Sequence, residues 1–170
     1  MFYKVLIPTD FSKEAQKVLE CVGEIPGLKE VILLNVVDAG NPMNLEKKGW
    51  SYRSLIDEAE MRLSERAEHI AYLGKKDIVV RTLLKIIVEP MSGADGVDLK
   101  RPEPRSEVGL IDGGSISEAI KKTAVSEEVT LIIMGAHGKG LVEGIRVGST
   151  TSDVARRADR PVMVVRPSNS

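Results

Sequence analysis

Hydrophobic residues fall along this chain in short solid runs, separated by stretches where they recur every three or four positions. Residues 3–8 form a first apolar run closed by Pro8, Thr9 and Asp10, types that favour a turn or a helix cap, and read as a buried strand. From Ser12 the apolar positions Ala15, Val18, Leu19 and Val22 follow helical spacing opposite Lys13, Glu14, Lys17 and Glu20, until Gly23 and Pro26 stop the pattern. Residues 31–37 are then apolar almost without a break, as a strand of a parallel sheet covered on both faces should be. After a polar stretch with Gly40, Pro42 and Gly49, the stripe Leu55, Ala59, Leu63, Arg66, Ile70 and Leu73 predicts a second helix that Gly74 ends.

Residues 78–88 predict a strand long enough to bend or to run past the sheet, interrupted by Thr82 and Lys85. Between Glu89 and Glu107, Pro90, Gly93, Gly96, Pro102 and Pro104 lie among several charges and predict an inserted loop without regular structure. Ser115 followed by Glu118 is a capping-box pattern, and Ile116, Ala119, Ile120 and Ala124 supply the stripe of the helix it opens. Residues 131–134 read as a buried strand, 150–158 as a helix with Arg156 and Arg157 near its C-terminus, and Val162–Val165 as a last strand after Pro161. Strands alternating with helices predict a single α/β domain over residues 1–170, built on a parallel sheet whose ligands bind beyond the C-terminal strand ends.

Composition narrows the chemistry. A length of 170 residues, 42% hydrophobic and 29% charged, suits one soluble globular domain, and 24 basic against 25 acidic side chains leave no global potential to attract nucleic acid or an anionic membrane. The single cysteine, Cys21, excludes an intramolecular disulfide and a cysteine-based zinc site. With no apolar run of membrane-spanning length and no signal-peptide pattern, the expected location is the cytoplasm.

The strongest candidate site follows the run at 131–134. Gly135, His137, Gly138, Lys139 and Gly140 lead through Gly144 to Gly148, Ser149, Thr150 and Thr151, with two residues between Gly135 and Gly138 and nine between Gly138 and Gly148. Glycines at a strand end let main-chain N–H groups approach a ligand, and Gly148 delivers the chain into a helix N-terminus whose free N–H groups and dipole favour an anion. The hydroxyls of Ser149, Thr150 and Thr151 are further donors, and Lys139 adds charge. The outline is a phosphate cradle. It is neither a Walker A loop nor the dinucleotide fingerprint, because the third glycine of Gly138, Gly140 and Gly144 comes one residue late.

With KVLIPTDFS at the start, VILLNVV, LIIMGAHGKG and the closing RPVMVV, this spacing resembles the universal stress protein family, in its ATP-binding branch with the Gly-x2-Gly-x9-Gly-Ser/Thr motif, over nearly the whole chain. The resemblance implies a Rossmann-like, HUP-type open parallel sheet of five strands in the order 3-2-1-4-5 with helices on both faces. It also implies a bound ATP or AMP and a homodimer; Mg2+ or Mn2+ is a separate candidate companion of the nucleotide. By the same resemblance Asp10 holds the ribose, Pro8 and Thr9 shape the adenine side, and the main chain of Val36 meets the adenine edge. Met134 and Gly135 lie beneath ribose and adenine, and Gly138, Gly148, Ser149, Thr150 and Thr151 bind phosphate. Arg146 and Val147 depart from the bulky aliphatic pair common before the third motif glycine, and the 89–107 stretch has no counterpart in compact members.

The function expected on this basis is a nucleotide-dependent regulatory protein, dimeric through Val162–Val165 and read by a protein partner whose identity the sequence does not give. Two alternatives stand beside it. One is a slow metal-dependent ATP hydrolase in which His137 positions water; no second residue is placed to orient that imidazole. The other is a protein-interaction module using residues 89–107. Asp10 also has a plainer reading, as the N-cap of the first helix.

Overall fold

The computed structural model describes residues 1–40, 49, 51–73, 77–89, 107–137 and 147–166. Within them six strands, β1 (Lys4–Pro8), β2 (Glu30–Gly40), β3 (Val79–Val88), β4 (Glu107–Asp112), β5 (Leu131–Gly135) and β6 (Val162–Val165), pair in one parallel sheet of order β4-β3-β2-β1-β5-β6. Four α-helices accompany them: α1 (Lys13–Glu20), α2 (Tyr52–Leu73), α3 (Ile116–Ser126) and α4 (Ser149–Arg157). Their starts follow local chemistry. The Ser12 hydroxyl accepts from the Ala15 N–H at 3.2 Å, and the Ser115 hydroxyl accepts from the Glu118 N–H at 3.2 Å, as the capping-box pattern predicts.

Alternate residues of each strand feed opposite layers. Val5, Ile7, Val31, Leu33, Leu84 and Ile86 pack on Val18 and Leu19 of α1 and on Ile56, Ala59, Leu63 and Ile70 of α2. Leu6, Ile32, Leu34, Leu83, Ile132 and Met134 pack on Ile120 and Ala124 of α3 and Val154 of α4. The solid apolar runs of β1, β2 and β5 therefore reflect burial on both faces, and helices cover both, as expected.

The sheet differs from the five-stranded expectation by one strand. β4 pairs with the second half of β3, from Leu83 opposite Glu107 to Val88 opposite Asp112; without it the order of the other five is the expected 3-2-1-4-5. Its sequence signal is weak because Gly109 interrupts a short run. That glycine has a structural reason: a Cβ there would lie 2.9 Å from Lys85 Nζ, so the lysine stem crosses β4 where a side chain is missing. Glu107, read as the end of the inserted loop, begins this strand, and residues 90–106 lie outside the described residues. β3 does not overrun the sheet either, since β2 continues beside it to Gly40.

At the N-terminal ends of the strands, away from the glycine loop, Arg81 bridges three carboxylates. Its guanidinium donates to Glu127 at 2.9 Å, to Glu30 at 3.1 Å and to Glu107 at 3.1 Å, and Lys4 approaches Glu30 and Glu127 at 3.7 and 3.8 Å. The Glu127 bond is the largest influence on Arg81; together with Glu30 and Glu107 it outweighs partial burial and raises the guanidinium pKa above its ordinary value. No helix among the described residues is long and apolar enough to cross a membrane.

Candidate functional site

The chain runs from β1 through β2 and β3 to one edge, then returns to build β5 and β6 on the other side of β1. Its direction across the sheet therefore reverses between β1 and β5, where ligands of open α/β sheets bind. At that point β1 stops at Pro8 while β2 continues for six more residues, from Asn35 to Gly40. The step opens a cleft of about 660 Å3, a volume in the range of small-molecule sites.

The first wall is the turn after β1. The Thr9 N–H donates to the Leu34 carbonyl at 2.8 Å and the Thr9 carbonyl accepts from Asn35 Nδ2 at 2.8 Å, which fastens the turn to β2 on both sides of one residue. Thr9 Oγ1 accepts from the Phe11 N–H at 3.1 Å, and Asp10 Oδ1 accepts from the Ser12 N–H at 2.9 Å. Phe11 is left-handed, with φ of 64°, a conformation that tertiary contacts must hold in a bulky residue. Asp10 is thus not the N-cap of α1; Ser12 is, and Asp10 secures the residue that caps.

The opposite wall is built at the end of β5. The Gly148 N–H donates to the Ala136 carbonyl at 2.7 Å and the Thr151 hydroxyl donates to the Gly135 carbonyl at 2.8 Å, so the start of α4 is tied to the strand end. Gly148 is the N-cap, in an extended conformation and without a side-chain cap. The first main-chain N–H groups of α4 have no intrahelical partner and, with the helix dipole, make this end attractive to an anion. Close packing explains the first glycine: a Cβ at Gly135 would meet the His137 carbonyl oxygen at 3.3 Å and Val18 Cγ2 at 3.6 Å.

Pro8, Thr9, Asp10, Val36, Met134, Gly135, His137, Gly148, Ser149, Thr150 and Thr151 all line this one cleft. Gly138, Lys139 and Arg146 lie outside the described residues. Of the three hydroxyls offered as donors, that of Thr151 gives its proton to Gly135, which leaves Ser149 and Thr150 for a ligand.

The cleft also has walls that the sequence pattern did not mark. Ile116 and Ile120 of α3 close it on one face of the sheet, and Leu55 and Ala59 of α2 on the other. Their only signal was helical periodicity, which says that a residue faces inward but not what it faces. Arg62 lies 5.7 Å from the centre of the Phe11 ring and pairs with Glu58 at 2.7 Å, so its charge is already engaged at the rim. Asn35 did carry a signal, as the one polar residue in VILLNVV. No cluster of three or more metal-ligating side chains occurs among the described residues.

Comparison with known proteins places this chain in a family. A profile of the universal stress protein family matches residues 1–166. Universal stress protein MJ0577 of Methanocaldococcus jannaschii is 30% identical over 181 aligned positions, covering 100% of this chain and 98% of the relative. Universal stress protein MT2052 of Mycobacterium tuberculosis is 27% identical over 135 positions, which are 79% of this chain but 39% of that longer protein. The solved structure of MJ0577 superposes with a TM-score of 0.70 at 28% identity, covering 100% of this chain and 99% of the other. A universal stress protein solved in complex with cAMP shares the fold, with a TM-score of 0.58 at 19% identity and 98% coverage of both chains.

Proposed function

This chain belongs to the universal stress protein family, and from that premise we propose that it is a regulatory protein that binds an adenine nucleotide, ATP or AMP, in the cleft between the ends of β1 and β5. The observation that carries the reading is the mixed lining of one cleft. Apolar Val36, Met134, Ile116 and Ile120 line it and suit a base. The N-terminus of α4 with Ser149 and Thr150 lines it too and suits phosphate. Asp10 lies on the same lining and supplies a carboxylate for ribose hydroxyls. Any Mg2+ or Mn2+ would take its ligands mainly from the phosphates, since the described side chains offer no cluster for it. That a protein of this fold has been solved with cAMP, itself an adenine nucleotide, agrees with the assignment.

In this reading a partner distinguishes the nucleotide-filled from the empty form. β6 is an edge strand with Met163 exposed, and pairing with its copy in a second subunit gives the homodimer. The test is mass spectrometry of small molecules released by denaturing the purified protein, beside a Gly138→Val, Ser149→Ala double variant. ATP or AMP on the wild type alone supports the reading; calorimetry showing no binding of either at millimolar concentration to stripped protein removes it.

A further inference from the structure

β2 carries one polar side chain into an otherwise apolar stretch, and its position is unusual. Asn35 is 5% exposed and follows Leu34, the last residue of β2 in register with β1. Beyond that point the main-chain ladder between the two strands ends with the Thr9 N–H on the Leu34 carbonyl. The Asn35 side chain adds one more rung, its Nδ2 donating to the Thr9 carbonyl at 2.8 Å. Because a carbonyl can only accept, this contact fixes which end of the amide is nitrogen.

The other end, Oδ1, is buried and has no hydrogen-bond partner among the described residues. One neutral hydrogen bond returns no more than an unpaired buried acceptor costs, so the amide contributes little net stability here. An apolar side chain of similar size, like the leucines at 33 and 34, would satisfy packing alone. What the amide adds is orientation. The carbonyl it grips belongs to the peptide joining Thr9 to Asp10, and fixing that peptide plane fixes the direction from which Asp10 leaves the strand. Immediately beyond, Phe11 occupies its left-handed conformation, which persists only where surrounding contacts over-determine it.

We propose that Asn35 is a positioning residue, which holds Asp10 in reach of the ribose hydroxyls and thereby makes the site discriminate ribonucleotides from deoxyribonucleotides. This role rests on the adenine-nucleotide reading above. Asn35 lines the same cleft, and in this role it acts through the Thr9 carbonyl.

The test compares the affinities of ATP, 2′-deoxy-ATP and 3′-deoxy-ATP for stripped wild type, Asn35→Leu, Asp10→Ala and the double variant, with thermal unfolding of each. The wild type should prefer ATP over at least one deoxy analogue by about tenfold, the size of one hydrogen bond to a charged group. Asn35→Leu should bring that ratio close to one while unfolding within a few degrees of wild type, and adding it to Asp10→Ala should change the ratio no further. Should Asn35→Leu not fold, Asn35→Ala, which leaves space and no clash, gives the same ratio. An Asn35 variant with wild-type discrimination overturns the role, and so does a wild type that binds all three nucleotides equally. A wild type that binds none of the three, and no AMP, overturns the nucleotide reading itself, and one that binds AMP alone moves the same comparison to AMP and its 2′- and 3′-deoxy analogues.

Discussion

The Thr151 hydroxyl donates to the carbonyl of Gly135 at 2.8 Å, joining the first turn of α4 to the last residue of β5. This bond holds the proposed phosphate end against the strand from which the glycine loop departs. Thr151→Val keeps the shape and removes the donor, so it should lower stability by about 1 kcal/mol and weaken ATP binding several-fold. Ser149→Ala should weaken binding without the stability loss. Denaturant unfolding and calorimetry on the two variants separate these effects.

Two motif glycines differ in why they are glycines. At Gly135 an added Cβ meets a main-chain oxygen at 3.3 Å, and Gly135→Ala should destabilise by roughly 1–2 kcal/mol. At Gly148 the nearest atoms are 3.6 and 3.8 Å away and φ is −66°, so Gly148→Ala should change stability by less than about 1 kcal/mol. Its methyl group instead stands near the α4 N-terminus, and the larger change should be in ATP affinity. Equal losses of stability for the two variants would contradict this distinction.

Acid stability should register Asp153. The hydrogen bond from Lys121 at 2.9 Å, then that from Ser117, holds its carboxyl below the ordinary carboxylate range. A depressed folded pKa contributes stability that is present above the unfolded value of about 3.9 and is lost as pH falls through the folded one. Asp153→Asn should therefore be less stable than wild type at neutral pH, and the difference should close progressively below about pH 4. Urea midpoints from pH 2.5 to 7 measure it; a constant difference across that range would rule the linkage out.

At the far end of the sheet, Arg81→Met should leave Glu30, Glu107 and Glu127 facing one another with Lys4 as the remaining nearby cation among the described residues. Because the guanidinium is partly exposed, the expected loss is modest, roughly 1–2 kcal/mol, and it should shrink in molar salt. Nucleotide affinity should be unaffected, since the network lies at the opposite strand ends from the cleft. Unfolding at 0.05 and 1 M salt checks the first point and calorimetry the second.

How much of this was legible in the sequence depended on whether a residue's signal is local. Gly135, Gly148, Ser149 and Thr150 sit in one motif of fixed spacing, and Pro8, Thr9 and Asp10 end an apolar run; both patterns survive being read in one dimension. Ser115 declared itself as a cap for the same reason. Leu55, Ala59, Ile116 and Ile120 reach the cleft only because the ends of α2 and α3 meet the end of β2, and their spacing looks the same as that of core positions deeper in each helix. β4 escaped notice because Gly109 breaks its pattern, and the lysine responsible lies 24 positions earlier. Phe11 gave no hint of positive φ, since bulky residues adopt it only when tertiary structure insists.

The step between β1 and β2 sets the depth of the cleft by a count of residues. β1 has five residues and β2 has 11, and the pairs of β1 with β2 end at Pro8 and Leu34. Side chains decide what fits in the recess, but the recess itself is the place where a strand has run out. Two residues inserted ahead of Thr9 preserve which way each side chain points and let β1 climb beside Asn35 and Val36. Such a chain would keep both hydrophobic layers and all the lining residues, and would fill the hollow with its own backbone. In this architecture binding capacity is heritable as a length, and an insertion can close the recess while every lining residue stays in place.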